Sequence, residues 1–153
     1  MVLKFNRQLL IMAATNLLIF SLIFVGMNFL LDAASRKIRM DGIDFLFFAP
    51  WLAAIKFGIY PGIILAGIIL FSHMVMHLRI ARYILLSFPA QVIAVLFGYY
   101  FGISGFWVAL VLYHLISGII TALLGGLGGR YFIFILLNIV TNVATFFAYR
   151  TLI

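Results

Sequence analysis

The sequence contains no cysteine, and its only acidic residues are three aspartates. The absence of cysteine excludes disulfides and thiolate metal sites. Asp32, Asp41 and Asp44 all belong to one connector, far along the chain from the histidines. Neither a paired-carboxylate site nor a Ser-His-Asp set is therefore predicted. We expect a protein that is not an enzyme and has no cofactor.

Charge is also scarce, since only 8% of the 153 residues are charged whereas 67% are hydrophobic. The mean hydropathy is +1.31, and no soluble domain of this length has enough interior to bury so much apolar surface. We therefore predict an all-α, multi-pass helix bundle in the cell membrane, forming one domain over residues 1–153. The first apolar run, about 9–31, is too long for a signal-peptide core and is predicted to be a permanent span.

The few charges that are present are mostly basic, with ten Lys and Arg residues and a net charge of +7. They stand singly or in small groups at the ends of apolar runs, which is typical of anchoring to anionic lipid head groups. No nucleic-acid recognition module is present. We expect membrane lipid, and no nucleic acid, as a partner.

The chain divides into apolar segments separated by polar connectors. The predicted spans are approximately 9–31, 43–56, 57–76, 83–101, 106–124 and 131–149. Segment 43–56 is short for a hydrocarbon core of ~30 Å and contains Pro50. It is interpreted as a crossing, which gives six spans, or as a re-entrant helix, which gives five. The distribution of Lys and Arg residues does not decide between these topologies.

Two predicted spans carry small residues at every fourth position, a spacing that makes a smooth stripe for close helix approach. The stripes are Ala90, Ala94, Gly98 and Gly102, and Ser117, Thr121 and Gly125. They leave open a non-catalytic structural subunit of a larger membrane complex, in which the stripes pack against other chains. For that function, Gly98→Leu is expected to break assembly.

In a six-span topology with an internal N-terminus, the connectors 32–44, 73–82 and 125–130 share the outer face. The bases there would suit capture of a small anionic or carboxylate-bearing metabolite. Ordinary interfacial anchoring in the opposite topology is the alternative. The predicted substrate-binding residues are Arg36, Arg39, Arg79, Arg82 and Arg130, with His114 and Asn142 deeper in the pocket.

The histidines offer a second kind of site. His73 and His77 are four residues apart, a spacing that places them on one helix face and can hold a metal ion. No Asp or Glu accompanies them in the sequence, so interfacial histidines are favoured and no metal site is predicted. His114 lies within a span and must pair with a ligand or with a neighbouring helix.

One stretch also supports a resemblance to a known family. A short helix, a glycine-bearing turn and a small-residue helix follow one another, marked by Phe48, Pro50, Lys56, Gly58, Pro61, Gly62, Ala66 and Gly67. A later span opens with Ser87-Phe88-Pro89-Ala90, and the final one carries Asn138 and Asn142. Over about 43–149 the chain resembles the substrate-binding (S) components of energy-coupling factor (ECF) vitamin transporters.

This resemblance implies six helices, internal termini, and a substrate pocket closed by the outer loops. It also implies a transmembrane coupling subunit and ATPases as partners. The family's small-x-x-x-small docking pair in the first helix is missing, since Leu17 and Leu18 follow Ala13 and Ala14 by four positions. The leading hypothesis is the substrate-binding subunit of a small-molecule uptake transporter. A bacterial cell-shape membrane protein with a related fold is a further alternative.

Overall fold

The structure is a computed structural model that describes residues 2–38, 42–78 and 81–152. These residues form helices and turns without a β-strand, which confirms the predicted all-α class. The helices are α1 (Val2–Ile38), α2 (Phe48–Phe57), α3 (Ile59–Met76), α4 (Ala81–Leu85), α5 (Phe88–Phe101), α6 (Phe106–Leu123) and α7 (Gly129–Thr151). A 3-10 turn, Gly102–Gly105, joins α5 to α6.

Within the described ranges, four stretches are long and apolar enough to cross a membrane. They are Ile11–Lys37, Ile59–Met76, Tyr83–Leu123 and Gly129–Thr151, and the third includes both α5 and α6. Helix α2 has only 10 residues, about 15 Å of helix, half the thickness of a hydrocarbon core. By length and composition the chain has the helices of a membrane protein.

The segment 42–57 occupies the centre of the molecule. Every residue from Asp44 to Ala54 is buried, although residues 42–47 are not helical and α2 begins only at Phe48. The Trp51 ring lies 5.2 Å from the ring of Phe106 and 6.0 Å from that of Phe146, centroid to centroid. Helices α1, α3, α5, α6 and α7 surround this segment.

The break in the long apolar run is a tight turn at Gly58. Its φ of +103° lies in the left-handed region, which a residue with a Cβ adopts only under strain. Pro61 follows in the first turn of α3, where its missing N–H breaks no helical hydrogen bond. A Cβ atom added to Gly62 would lie 3.0 Å from the Cβ atom of Ala54. Helices α2 and α3 therefore pack closely against each other as a helical hairpin.

The small-residue stripe of α5 packs inside the chain. Ala90, Ala94 and Gly98 are buried, and a Cβ on Gly98 would collide with the carbonyl oxygen of Trp51. The small side chains of the stripe therefore allow α2 to pack closely against α5 at the centre of the bundle. Replacing Gly98 by Leu would disturb this internal contact, so the substitution does not report on assembly with other chains.

Contacts along the bundle show which connectors share an end. Phe20 of α1 meets Phe57 at the end of α2, with ring centroids 5.3 Å apart. Further along α1, Asp32 reaches His73 near the end of α3. The ring of Tyr83, which precedes α5, packs against Gly126, which follows α6. Helices α5 and α6 therefore form an antiparallel hairpin, and the connectors after α1, α3 and α6 meet at one end.

Candidate functional site

A cavity of about 290 Å³ opens where these three connectors meet. This volume is close to the lower limit of the roughly 300–1,000 Å³ found for small-molecule sites. The polar side chains lining it include His73 from α3, Tyr113, Ser117 and Thr121 from α6, and Arg130 and Tyr131 from α7. In a chain with 8% charged residues, such a concentration of polar groups marks a candidate ligand site.

Helix α6 supplies one wall because Tyr113, Ser117 and Thr121 are spaced four residues apart and so share one face. Tyr113 is almost fully buried, and Ser117 is also buried. The Ser117 hydroxyl has no hydrogen-bond partner among the residues that the structure describes. A buried hydroxyl without a partner costs free energy, which a polar ligand in the cavity would recover.

Beside the cavity, a buried carboxylate joins two helices. Asp32 Oδ1 lies 2.8 Å from His73 Nδ1 and 3.7 Å from His77 Nε2. Its other oxygen accepts a 3.0 Å hydrogen bond from Asn28 Nδ2, and Asn28 Oδ1 accepts the Phe45 N–H at 2.8 Å. Asp32 is only 1% exposed. The network fixes α1 against α3 and against the start of the central segment.

A second buried carboxylate ties the central segment to α7. Asp44 Oδ1 accepts hydrogen bonds from the Leu46 N–H at 3.1 Å and from Asn138 Nδ2 at 2.9 Å. Asn142 Nδ2 donates in turn to the backbone oxygen and Oδ1 of Asn138. In the described part of the chain, Asp44 Oδ2 has no hydrogen-bond partner. The amide of Asn138 therefore supplies one oxygen of this buried carboxylate with a donor that lipid could not provide.

The residues predicted from sequence to bind substrate fall in different places. Arg130 lines the cavity, whereas Arg36 is exposed on α1. Asn142 is buried on α7 and bonded to Asn138. His114 is buried in α6, and neither of its ring nitrogens bonds to a described residue. Neither Asn142 nor His114 is among the residues that line the cavity.

Three further arginines from that prediction give less information. Arg39 and Arg79 lie outside the described residues. Arg82 belongs to α4, but its side chain is also outside the described part. Of the seven residues predicted to bind substrate, the structure therefore brings Arg130 to the cavity.

The proximity of Asp32 to His73 and His77 was not predicted from the sequence. Asp32 and His73 are 41 positions apart, and only the packing of α1 against α3 joins them. One signal was available in the sequence. Asn28 and Asp32 are four residues apart, so they share a face of α1 near its end. Two polar groups on one face of an apolar helix require internal partners.

Neither protein-family models, nor the sequences of characterised proteins, nor solved structures match this chain. A helical fold hosts many unrelated functions, so the fold alone indicates none. The function proposed below therefore rests on the cavity, the two carboxylate networks and the exposed surface of α1.

Proposed function

We propose that the protein is the membrane-embedded substrate-binding subunit of a small-molecule uptake transporter, similar to the S components of ECF transporters. It is a multi-pass protein of the cell membrane, and its substrate is a small anionic metabolite. The observation that carries the proposal is the polar cavity at the end of the bundle where the connectors after α1, α3 and α6 meet.

The proposal includes six crossings, with α1, α3, α5, α6, α7 and the segment 42–57 as the spans. Residues 42–47 reach at most about 20 Å when extended, and α2 adds about 15 Å. This upper limit of about 35 Å is compatible with a crossing of a ~30 Å hydrocarbon core. Six crossings place both termini on one side of the membrane and the cavity mouth on the other.

An anionic substrate is favoured by the groups around the cavity. Arg130 contributes a permanent positive charge to the wall, and a guanidinium binds carboxylate or phosphate groups in a bidentate manner. The hydroxyls of Tyr113 and Ser117 supply neutral hydrogen-bonding groups lower on α6. A charge with a few fixed polar groups in an otherwise apolar wall is the usual arrangement of a small-molecule site.

Transport would need partner proteins, because no nucleotide-binding motif is present in the sequence. The proposed partners are a transmembrane coupling subunit and ATPases. Helix α1 offers an exposed apolar surface for them, since Leu22 is 64% exposed and Leu30 is 68% exposed. The missing small-residue pair in this helix implies that the contact differs from that of the S-component family.

Native mass spectrometry of the protein in mild detergent, extracted from its own membrane, tests this function. A bound small metabolite or co-extracted ATPase subunits would support it. Arg130→Gln should weaken retention of the metabolite about tenfold or more, the effect of losing a charged hydrogen bond. Arg150→Gln is the matched control, because Arg150 is exposed at the opposite end of the same helix. Stoichiometric unrelated membrane subunits without a small ligand would contradict the proposal.

A structural subunit of a membrane complex is the second candidate, and one observation on α1 favours it. Asn16 is exposed halfway along this apolar helix, where lipid offers its amide no hydrogen-bond partner and a helix from another chain would. For this function, Asn16→Leu should release co-purifying membrane chains, whereas Arg130→Gln should leave them bound. The opposite pattern would favour the substrate-binding function.

A further inference from the structure

Three metal-ligating side chains converge near the end of α3. Asp32 Oδ1 lies close to both His73 Nδ1 and His77 Nε2, and the three residues offer ligand atoms within 4.8 Å of one another. In a tetrahedral zinc site with bonds of about 2.0–2.1 Å, donor atoms stand about 3.3 Å apart. The 2.8 and 3.7 Å separations from Asp32 Oδ1 bracket that value.

The surroundings hold this carboxylate in position for a ligand role. Asn28 Nδ2 donates a hydrogen bond to Asp32 Oδ2, and Asn28 Oδ1 in turn accepts one from the Phe45 N–H. Hydrogen bonds of this kind to the second oxygen of a ligating carboxylate orient it toward a metal. In the described ranges, the ionisable nitrogens within ion-pair distance of Asp32 are those of the two histidines. A bound cation would therefore compensate a buried negative charge.

We propose that Asp32, His73 and His77 form a binding site for one divalent transition-metal ion. Two imidazoles and one carboxylate suit Zn²⁺ and related ions, whereas Ca²⁺ and Mg²⁺ require oxygen ligands. Three protein ligands leave a fourth position open, as in sites that exchange their outer ligand. On binding, the metal replaces the hydrogen bond between Asp32 and His73 with two coordinate bonds.

The site adjoins the cavity, because His73 belongs to both. The open coordination position would accept an anionic oxygen from a molecule in the cavity, and this extension alone rests on the proposed substrate-binding function. Metal binding itself requires neither a substrate nor a transport partner. A test with the metal alone therefore separates failure of the metal site from failure of the transport function.

The test uses the full-length protein in detergent, treated with a chelator and then titrated with Zn²⁺ by isothermal calorimetry. We expect one Zn²⁺ per chain, and no comparable binding of Mg²⁺ or Ca²⁺. His77→Gln, His73→Gln and Asp32→Asn should each weaken Zn²⁺ binding at least tenfold. His77→Gln is the principal variant because His77 lies at the end of α3, where a substitution disturbs the helix least. The circular dichroism of this variant should match that of the parent protein.

The chain provides its own control, since it has 3 histidines and the third, His114, is remote from the cluster in sequence and outside it. His114→Gln should bind Zn²⁺ as tightly as the parent protein. Absence of stoichiometric Zn²⁺ binding would overturn the proposal. Unchanged affinity in a folded His77→Gln variant, or an equal loss in His114→Gln, would overturn the assignment of the ligands.

Discussion

Helix α1 and the central segment 42–57 are both strongly apolar, yet their surroundings are opposite. Helix α1 is continuous over 37 residues and leaves Leu22, Phe29 and Leu30 largely exposed. The central segment is partly non-helical, and Trp51 within it is completely buried. Apolar composition therefore predicts removal from water but does not determine whether a segment is enclosed by its own chain or left on the surface of the bundle.

The difference in burial between the two regions has a steric cause. The central segment is enclosed because glycines stand where it meets its neighbours, Gly98 on α5 and Gly62 on α3. On helix α1, no neighbouring element packs closely against Gly26, since a Cβ atom added there would have no neighbour within 4 Å. Its attachment relies instead on aromatic contacts such as Phe24 with Phe45, and on the buried pair Asn28 and Asp32. Matched substitutions in the two regions test this difference in packing.

The largest difference is expected for aromatic truncation. Trp51→Ala should lower the free energy of unfolding by about 3–5 kcal/mol, because it leaves a cavity among the rings of Phe106 and Phe146. Phe29→Ala on α1 is the control, since that ring is 49% exposed and should change stability by less than about 1 kcal/mol. SDS titration followed by circular dichroism measures both. Equal losses would show that α1 is packed as tightly as the central segment.

A smaller difference is expected for added methyl groups. Gly98→Ala should cost about 1–3 kcal/mol, because its Cβ meets the backbone oxygen of Trp51 and a helix must shift. Gly26→Ala makes the same chemical change on α1 in open space and should leave stability unchanged or slightly raised. The same titration compares the two variants. A neutral Gly98→Ala would contradict the close contact of α5 with α2.

The smallest difference is expected for the buried amides. Asn138→Ala removes the side-chain donor to Asp44 Oδ1 and should cost between about 0.6 kcal/mol, the average for hydrogen bonds between membrane helices, and about 1.7 kcal/mol, the largest value. Asn16→Ala removes an exposed amide from α1 that bonds to no described residue. Its stability in detergent should be unchanged. A comparable loss for Asn16→Ala would indicate an unrecognised partner for this amide.

The sequence predicted the candidate site only in part. Arg130 was predicted as a base of an outer connector that attracts the ligand, and in the structure it lines the cavity. The wall formed by Tyr113, Ser117 and Thr121 was not predicted as a ligand surface, since spacing of four also describes a packing stripe. His114 and Asn142 were selected because they are polar within spans. That criterion does not reveal which side of a helix faces the cavity.

The proposed metal ligands illustrate the same limit. The spacing of His73 and His77 was compatible with metal binding, but interfacial histidines were favoured because no acidic residue is near them in the sequence. Asp32 supplies that acid from α1, 41 positions earlier. Such a pairing depends on how two helices pack against each other, which local periodicity does not describe.

By itself, the sequence determined the class of protein and the positions of its breaks. Long apolar runs must avoid water, and a glycine such as Gly58, with a proline three residues later, ends one helix and permits the next to begin. Tertiary structure alone decided that the central segment is enclosed by protein while α1 is exposed, and that Asp32 meets His73. The reason is that these outcomes depend on the fit between distant surfaces, where the absence of a single side chain, as at Gly98, determines which helices can touch.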